Sequence, residues 1–375
     1  MVYDVVIVGG GPAGCATALA LKRFDPTRSF LLIDDADQIY SSFLAPALSD
    51  RLSQDTSIGN HTRCTGNASA WGSRQLQEQY SIMNPYGSGL HLDRALFDQS
   101  LRDACCETNS DCVPSRMIRE RFISVEKQDG TWSVHTEHLD TRTSNCHRSK
   151  WVVDATGRKQ SSHGSFRVKL GAKVLKKDNL LAFYSLFVSS EDDNDHRTLT
   201  EATESGWWYT SQLAHNKRIV VYHTDDDDAS AKVARKPDGF LDLLHNHTVH
   251  ISQIILERNY SLPPGAKFPH CTAAGSSILE PICNEVERWC AVGDAAMAFD
   301  PLSSQGIITA LNAGCFIGEE LTKRIAVESD GTGTTDGICS IADYFDAAGQ
   351  RYETQKKYYY RHARFDGEFW AKRRL

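Results

Sequence analysis

An α/β fold is predicted: a nucleotide-binding core that is discontinuous in the chain, an antiparallel β-sheet domain inserted into it, and a helical C-terminal tail. Three stretches predict it. "VVIVGGGPAGCATALAL" runs from an apolar strand through glycines into a helix, "WVVDATGRKQS" (151–161) is an apolar strand closed by small residues, and "RWCAVGDAA" (288–296) is another. Apolar strands alternating with a helix argue for a parallel sheet.

In the first stretch Gly9, Gly11 and Gly14 fit G-x-G-x-x-G, with Pro12 and Ala13 opening the helix. The first glycine allows a tight turn, the second a close approach of pyrophosphate, and the third helix–strand packing. The helix N-terminus offers N–H groups and its positive dipole end to phosphate. A second strand, "FLLIDDAD", ends in Asp34 and Asp35, and Asp34 lies twenty residues beyond Gly14, where an acid accepts ribose hydroxyls. The context is Rossmann-like and leaves NAD, NADP and FAD open, although acids in "DDADQ" disfavour a 2′-phosphate.

Composition removes several classes. The chain has 375 residues, 41% hydrophobic and 24% charged, with net charge −7 and a pI near 6.1. That balance argues against nucleic acid as the main partner. Eleven cysteines without a C-x-x-C pair suggest reduced thiols and a cytoplasmic protein. Cys105 and Cys106 read as packing residues of a helix. No apolar run has membrane-spanning length, and the start "YDVVIVGGG" reads as a strand rather than a secretory signal. His245, His247 and His250 lack a nearby carboxylate or cysteine, so no metal is expected. The acids Asp225 to Asp228 read as a solvated loop.

Between the nucleotide-binding pieces, "GWWYTSQL", an "AHNK" turn and "RIVVYHT" suggest an antiparallel hairpin, and a helix is expected from Pro237. Trp207, Trp208 and Tyr209 alternate in direction along one strand, so one aromatic is expected to face a pocket and another solvent, a neighbouring domain or a partner. The expected boundaries are 1–48, 92–180 and 270–330 for the nucleotide-binding domain and 49–91 with 181–269 for the substrate domain. A C-terminal helical segment, 331–375, is expected to pack on the nucleotide-binding domain with a basic end. The strand 288–296 is expected as a fifth parallel strand beside the first.

Together, Gly9–Gly14, "DATGR" and "GDAA" resemble, in order, the motifs of the FAD-dependent hydroxylases, halogenases and related reductases. The resemblance implies FAD. It places Ala155, Thr156 and Gly157 beside the first turn and gives Gly293-Asp294 the ribityl chain. It lays the turn from Pro301 through Ser304 to Gly306 and Ile307 against the isoalloxazine ring. A helix N-terminus there suits the charge that reduced flavin carries at N1/O2. Asp300 reads as a cap of that turn. "HLDRALFDQSLRDAC" resembles the family's R-x-x-F/L-x-x-x-L helix, which implies that Arg94 lies near the flavin nucleotide. The family also places a β-sheet over the flavin as a substrate wall.

The family's several chemistries can be sorted residue by residue. The W-x-W-x-I-P stretch of indole halogenases is kept only at the first tryptophan of "WWYTSQ". No lysine occurs between Lys22 and Lys127 to capture hypohalous acid, and Ser303 stands where those enzymes carry a glutamate. A closer resemblance covers most of the chain: "GNASAWGS", "NPYGSGLHLDRALFD", "GWWY", "GDAAMAFDPLSSQGI" and "FWAKRR" are similar to the flavoproteins that mature cysteine tryptophylquinone in lysine and glycine oxidases. One departure is "YSSFLAPAL", where that family has G-E-x-L-P-P. The resemblance implies a monooxygenase that takes O₂ and electrons from an external reductant, NAD(P)H or a separate reductase, and oxygenates a tryptophan of a precursor oxidase. His91 and Trp71 lie in the family-like stretch and join Trp207, Trp208 and Tyr209 as pocket candidates; no catalytic acid or base is named. A small-molecule aromatic hydroxylase or reductase, and a non-catalytic FAD-binding chaperone, are the alternatives.

Overall fold

A computed structural model describes residues 1–36, 61–85, 87–107, 115–158, 165–330 and 337–374. The segment "YSSFLAPAL" lies outside them. The strands are β1 (Val2–Val8), β2 (Phe30–Asp34), β3 (His61–Cys64), β4 (Gly66–Ala70), β5 (Gln77–Tyr80) and β6 (Gly89–Leu92). Then come β7 (Arg116–Gln128), β8 (Thr131–His138), β9 (Ser144–Asp154), β10 (Lys173–Lys176), β11 (Leu180–Val188), β12 (Arg197–Thr203) and β13 (Gly206–Leu213). The last are β14 (Lys217–Asp225), β15 (His270–Ala273), β16 (Ser277–Glu280), β17 (Cys283–Asn284), β18 (Trp289–Ala291) and β19 (Met297–Ala298). The helices are α1 (Pro12–Phe24), α2 (Arg94–Glu107), α3 (Ser165–Lys169), α4 (Ala229–Ala234), α5 (Pro237–His247), α6 (His250–Glu257), α7 (Gly306–Asp330), α8 (Ile341–Arg361) and α9 (Glu368–Arg374).

The chain divides into two units, one of residues 1–53, 97–177 and 276–352, the other of 54–96, 178–275 and 353–375. The first is built on parallel strands. β1 pairs with β2 on one side and with β9 on the other, β2 pairs with the start of β7, and β18 joins the outer side of β9. Val5, Val6 and Ile7 are fully buried, as continuous apolar strands covered on both faces require. The strand 289–291 is therefore not beside the first strand as expected. β9 takes that place, with Val5 opposite Trp151, and β18 is the next strand out. β7, β8 and β9 also form an antiparallel meander, and β10, β16 and β19 make a small separate sheet.

The second unit carries a seven-stranded sheet in the order β15-β11-β14-β13-β12-β4-β5. The expected hairpin is β13 and β14, in register from Trp207–His223 to Leu213–Lys217. His215 and Asn216 turn it with φ of 62° and 52°, the left-handed pair that a tight hairpin with right-handed strand twist requires. One sheet face buries Phe183, Phe187, Trp208, Val220 and Tyr222 against α4, α5 and α6. Helix α5 begins at Pro237, as expected.

Two expectations are corrected. The tail up to residue 352 packs in the nucleotide-binding unit as expected, but residues 353–374 belong to the second unit, because their aromatic side chains find partners there. The Trp370 indole donates to the carbonyls of Thr203 and Glu204, and the Trp71 indole donates to that of Tyr359. Asp225 is not a solvated loop acid. It ends β14, is 4% exposed, and pairs through both oxygens with Arg373 at 2.5 and 2.9 Å, while Asp228 caps α4.

Candidate functional site: a glycine cradle and an aromatic sheet face

In the first unit the three glycines of the opening turn have different surroundings. A Cβ on Gly9 would stand 2.3 Å from the Ala155 carbonyl oxygen, and one on Gly14 would stand 1.9 Å from that of Gly9. Both glycines serve backbone packing. A Cβ on Gly11 would meet nothing within 4 Å, so only that glycine keeps space open above the turn. Helix α1 starts there with Pro12 at its first turn, no side-chain cap and no acid. Its first N–H groups and its positive end are thereby left for an anion.

Asp34 flanks the turn. Its Oδ1 accepts the Asp35 N–H, while Oδ2 is buried, has no well-aligned hydrogen bond, and lies 3.5 Å from Arg102 Nη1. Burial raises its pKa, and the Arg102 charge and the Gly10 backbone offset this only in part. A buried acceptor with an unfilled valence suits a hydroxyl donor. Arg102 itself was missed in the sequence; it comes from α2, two turns beyond Arg94. Arg94, exposed at the start of the same helix, belongs to the second unit.

At the end of β9, Asp154 is fully buried. It accepts from the Thr156 N–H and hydroxyl through Oδ1 and from Arg167 Nε at 3.1 Å through Oδ2. Arg167 also donates to the Gly157 carbonyl at 2.7 Å. These bonds pin the Ala155-Thr156-Gly157 turn, and a Cβ on Gly157 would again meet open space. The next residue, Arg158, donates through Nε to Asp294 Oδ2 at 2.9 Å and through Nη2 to the Phe299 carbonyl at 2.5 Å. Arg158 stood within the quoted "DATGR" motif, yet nothing in sequence spacing linked it to residue 294.

The Gly293-Asp294 stretch is small for a packing reason. Gly293 has φ of +64°, and a Cβ on it would stand 2.6 Å from that of Ala13. Gly314 and Gly318 let α7 lie directly on α1, since Cβ atoms there would fall 2.5 Å from the Ala13 carbonyl oxygen and the Ala20 Cβ. Successive contacts run the same way along both helices, so α1 and α7 are parallel and point their N-termini to one side. Before α7, Asp300 accepts from the Leu302 N–H and caps the Pro301–Ser303 turn, as expected. Its own N–H donates to the Tyr352 hydroxyl. Ser304 takes the left-handed conformation, φ 51°, and Gly306 and Ile307 open α7 with no acid in its first turn. A Cβ on Gly306 would meet nothing within 4 Å.

In the second unit, the sheet face turned away from α4–α6 carries Trp207 and Tyr209. Trp207 stacks on His223 with centroids 3.7 Å apart and stands edge-on to Trp71 at 6.2 Å, and its indole donates to the Tyr360 hydroxyl. Trp208 points the other way, into the helix-covered core beside Tyr222 and Phe240. The three side chains alternate in direction as expected, and neither tryptophan faces solvent, because the tail covers one and the helices the other. Burial drives the His223 imidazole down to about 3, with the Arg373 charge adding to it. His91 and Tyr209 approach each other through Thr198. His91 Nε2 lies 3.0 Å from the Thr198 hydroxyl, and the Tyr209 hydroxyl donates to that of Ser211 at 3.1 Å. Burial lowers the His91 pKa and raises that of Tyr209, so both stay neutral and polar.

Among the described residues no cluster of potential ligands could hold a metal, and no helix is long and apolar enough to cross a membrane. No family model matches the chain. Over its whole length the chain is similar to LodB of Marinomonas mediterranea, assigned as an FAD-dependent oxidoreductase: 26% identity, covering 99% of this chain and 96% of LodB. The myxobacterial chondrochloren halogenase CndH, an FAD-dependent halogenase, superposes with a TM-score of 0.76 at 18% identity, over 100% of this chain and 86% of CndH. The peptidyl tryptophan dihydroxylase QhpG, essential for tryptophylquinone cofactor biogenesis, gives 0.70 at 17%, over 100% and 79%. The chain has the fold of the FAD-dependent halogenases and monooxygenases. Within that fold the open glycines, the Asp34 oxygen without a well-aligned hydrogen bond, the uncapped start of α1 and the acid-free first turn of α7 fit FAD.

Proposed function

We propose that this protein is an FAD-dependent monooxygenase that oxygenates a tryptophan side chain of a partner protein, the precursor of a tryptophylquinone-containing amine oxidase. The observation that carries the reading is the whole-length likeness to an FAD-dependent oxidoreductase and to a peptidyl tryptophan dihydroxylase, on a chain that keeps a full dinucleotide cradle. The absence of any lysine between Lys22 and Lys127 weighs against hypohalous acid capture.

When bound, FAD supplies the activation of O₂ by electrons from an external reductant. The chain's own residues bind and orient. Gly11 and the N–H groups of Ala13 and Gly14 in the first turn of α1 would hold the pyrophosphate, Pro12 having no N–H to give, and Asp34 Oδ2 would accept a ribose hydroxyl. Asp294 keeps Oδ2 on Arg158, while Oδ1 has no partner among the described residues and would take a ribityl hydroxyl. The Pro301–Gly306 turn and the N-terminus of α7 would lie against the flavin ring, where their backbone N–H groups would stabilise negative charge. The substrate side is assigned to the face bearing Tyr209 and His91, whose neutral groups can orient an indole without protonating it.

Co-expression with a precursor oxidase, followed by mass spectrometry of its tryptophan peptide, tests the reading. One or two added oxygen atoms are expected with the wild type and none with a variant unable to bind FAD. Oxidation of NAD(P)H driven by a free aromatic metabolite, with the precursor unchanged, would favour the small-molecule hydroxylase instead.

A further inference from the structure

We infer that the second unit holds an anchoring site for an aromatic side chain on an extended, acidic segment of the partner protein. The inference rests on the reading that the substrate is a protein. On the sheet face away from α4–α6, Tyr184, Leu186 and Ile219 lie under the segment that carries Pro263, Ala266 and Lys267 and ends in His270. Together they line a half-open cavity of about 490 Å³. Its walls are almost wholly apolar, and its size accommodates an indole together with flanking atoms of a peptide.

Three features select the occupant. The Tyr184 and His270 rings stand 5.3 Å apart, tilted by 32°, and present π surface to a third ring. Lys267 adds an ammonium at the cavity, which attracts an electron-rich ring. Second, His270 begins β15, an edge strand of its sheet, and all four of its residues are exposed. An edge strand offers N–H and carbonyl groups on one side to an extended peptide, so a main chain can pair there while a side chain enters the cavity. Third, Lys267 places a positive charge at the cavity on a chain of net −7. Arg235 lies over the Phe183 ring at 5.6 Å, on the helix-covered face, and so does not contribute to the cavity. Among the described residues no carboxylate pairs with Lys267. The Lys267 ammonium at the cavity, beside an exposed edge, favours glutamates or aspartates flanking the aromatic residue.

The test uses the FAD-loaded full chain and three synthetic blocked peptides: tryptophan flanked by glutamates, the same tryptophan flanked by lysines, and alanine flanked by glutamates. Isothermal titration is expected to show the first binding about tenfold or more tighter than either control, with the preference over the lysine peptide shrinking as salt rises. Ile219→Trp, which fills the cavity, should remove the tryptophan preference. Lys267→Glu, at an exposed position that leaves the fold intact, should shift the preference toward the lysine peptide. Equal binding of the tryptophan and alanine peptides would overturn the inference, as would indole-3-acetate binding as tightly as the acidic peptide. If the anchor fails in this way while a co-expressed precursor still gains oxygen, the anchor is wrong and the proposed function stands. If the acidic peptide binds as described while the precursor is never modified, the anchor stands and the function falls.

Discussion

At the scale of single residues, glycines separate folding from binding. Gly14→Ala drives a methyl into the Gly9 carbonyl, 1.9 Å away, and is expected to destabilise the protein by about 2 kcal/mol or more in urea unfolding. Gly11→Ala meets nothing, so its unfolding free energy should stay within about 0.5 kcal/mol of wild type while FAD affinity measured by flavin fluorescence falls. Equal destabilisation by the two changes would contradict these separate roles. Asp294→Ala removes a charged acceptor and is expected to weaken FAD about 10- to 100-fold. The glycine spacing and the Gly-Asp pair were legible because each position admits few residue types. Arg102, Arg158, Asp154 and Arg167 were not, because long or buried charged side chains reach partners far along the chain that no local pattern specifies. Arg158, for example, finds Asp294 across 136 positions.

At the scale of elements, period and turn chemistry made the first strand, the first helix, the hairpin and the Pro237 helix legible. Strand order was less so. Both "WVVDATG" and "RWCAVGD" look like neighbours of β1, and only the parallel register that puts Trp151 against Val5 decides between them. The C-terminal tail misled because an amphipathic pattern shows that a helix packs but not on what. Its anchor is the pair of Arg373 and Asp225, 3% and 6% exposed at their side chains. Arg373→Ala strands a buried carboxylate and is expected to cost about 3–5 kcal/mol, much of it recovered by adding Asp225→Asn. A loss below about 1 kcal/mol would place the tail's stability elsewhere.

The same face predicts a pH dependence. His223 titrates near 3 when folded and near 6.5 in its ordinary state, so the unfolded chain takes up its proton first. The stability from burying the neutral ring is full above pH 6.5 and is lost as pH falls toward 3. The slope in that window is up to about 1.4 kcal/mol per pH unit. His223→Phe keeps a ring on Trp207 and should flatten that part of the profile in denaturant unfolding. An unchanged slope would mean that His223 is protonated in the folded state.

At the scale of the whole molecule, two units interleave along the chain, each crossing the sequence three times. The broad plan was readable because its motifs occur in a fixed order, whereas the boundaries depend on contacts between distant segments. FAD bound at a hundred times its dissociation constant should raise the free energy of unfolding by about 2.7 kcal/mol. Any resulting rise in melting temperature should be smaller in Gly11→Ala and Asp294→Ala. Folding and cofactor binding are both preliminary to the chemistry, however. The most direct measurement is the mass of the tryptophan peptide from a precursor oxidase co-expressed with this protein, compared with co-expression of Asp294→Ala. Oxygen gained on that tryptophan with the wild type, and reduced or lost with the variant, is the predicted result. An unmodified tryptophan beside a wild-type protein that demonstrably carries FAD would contradict the account.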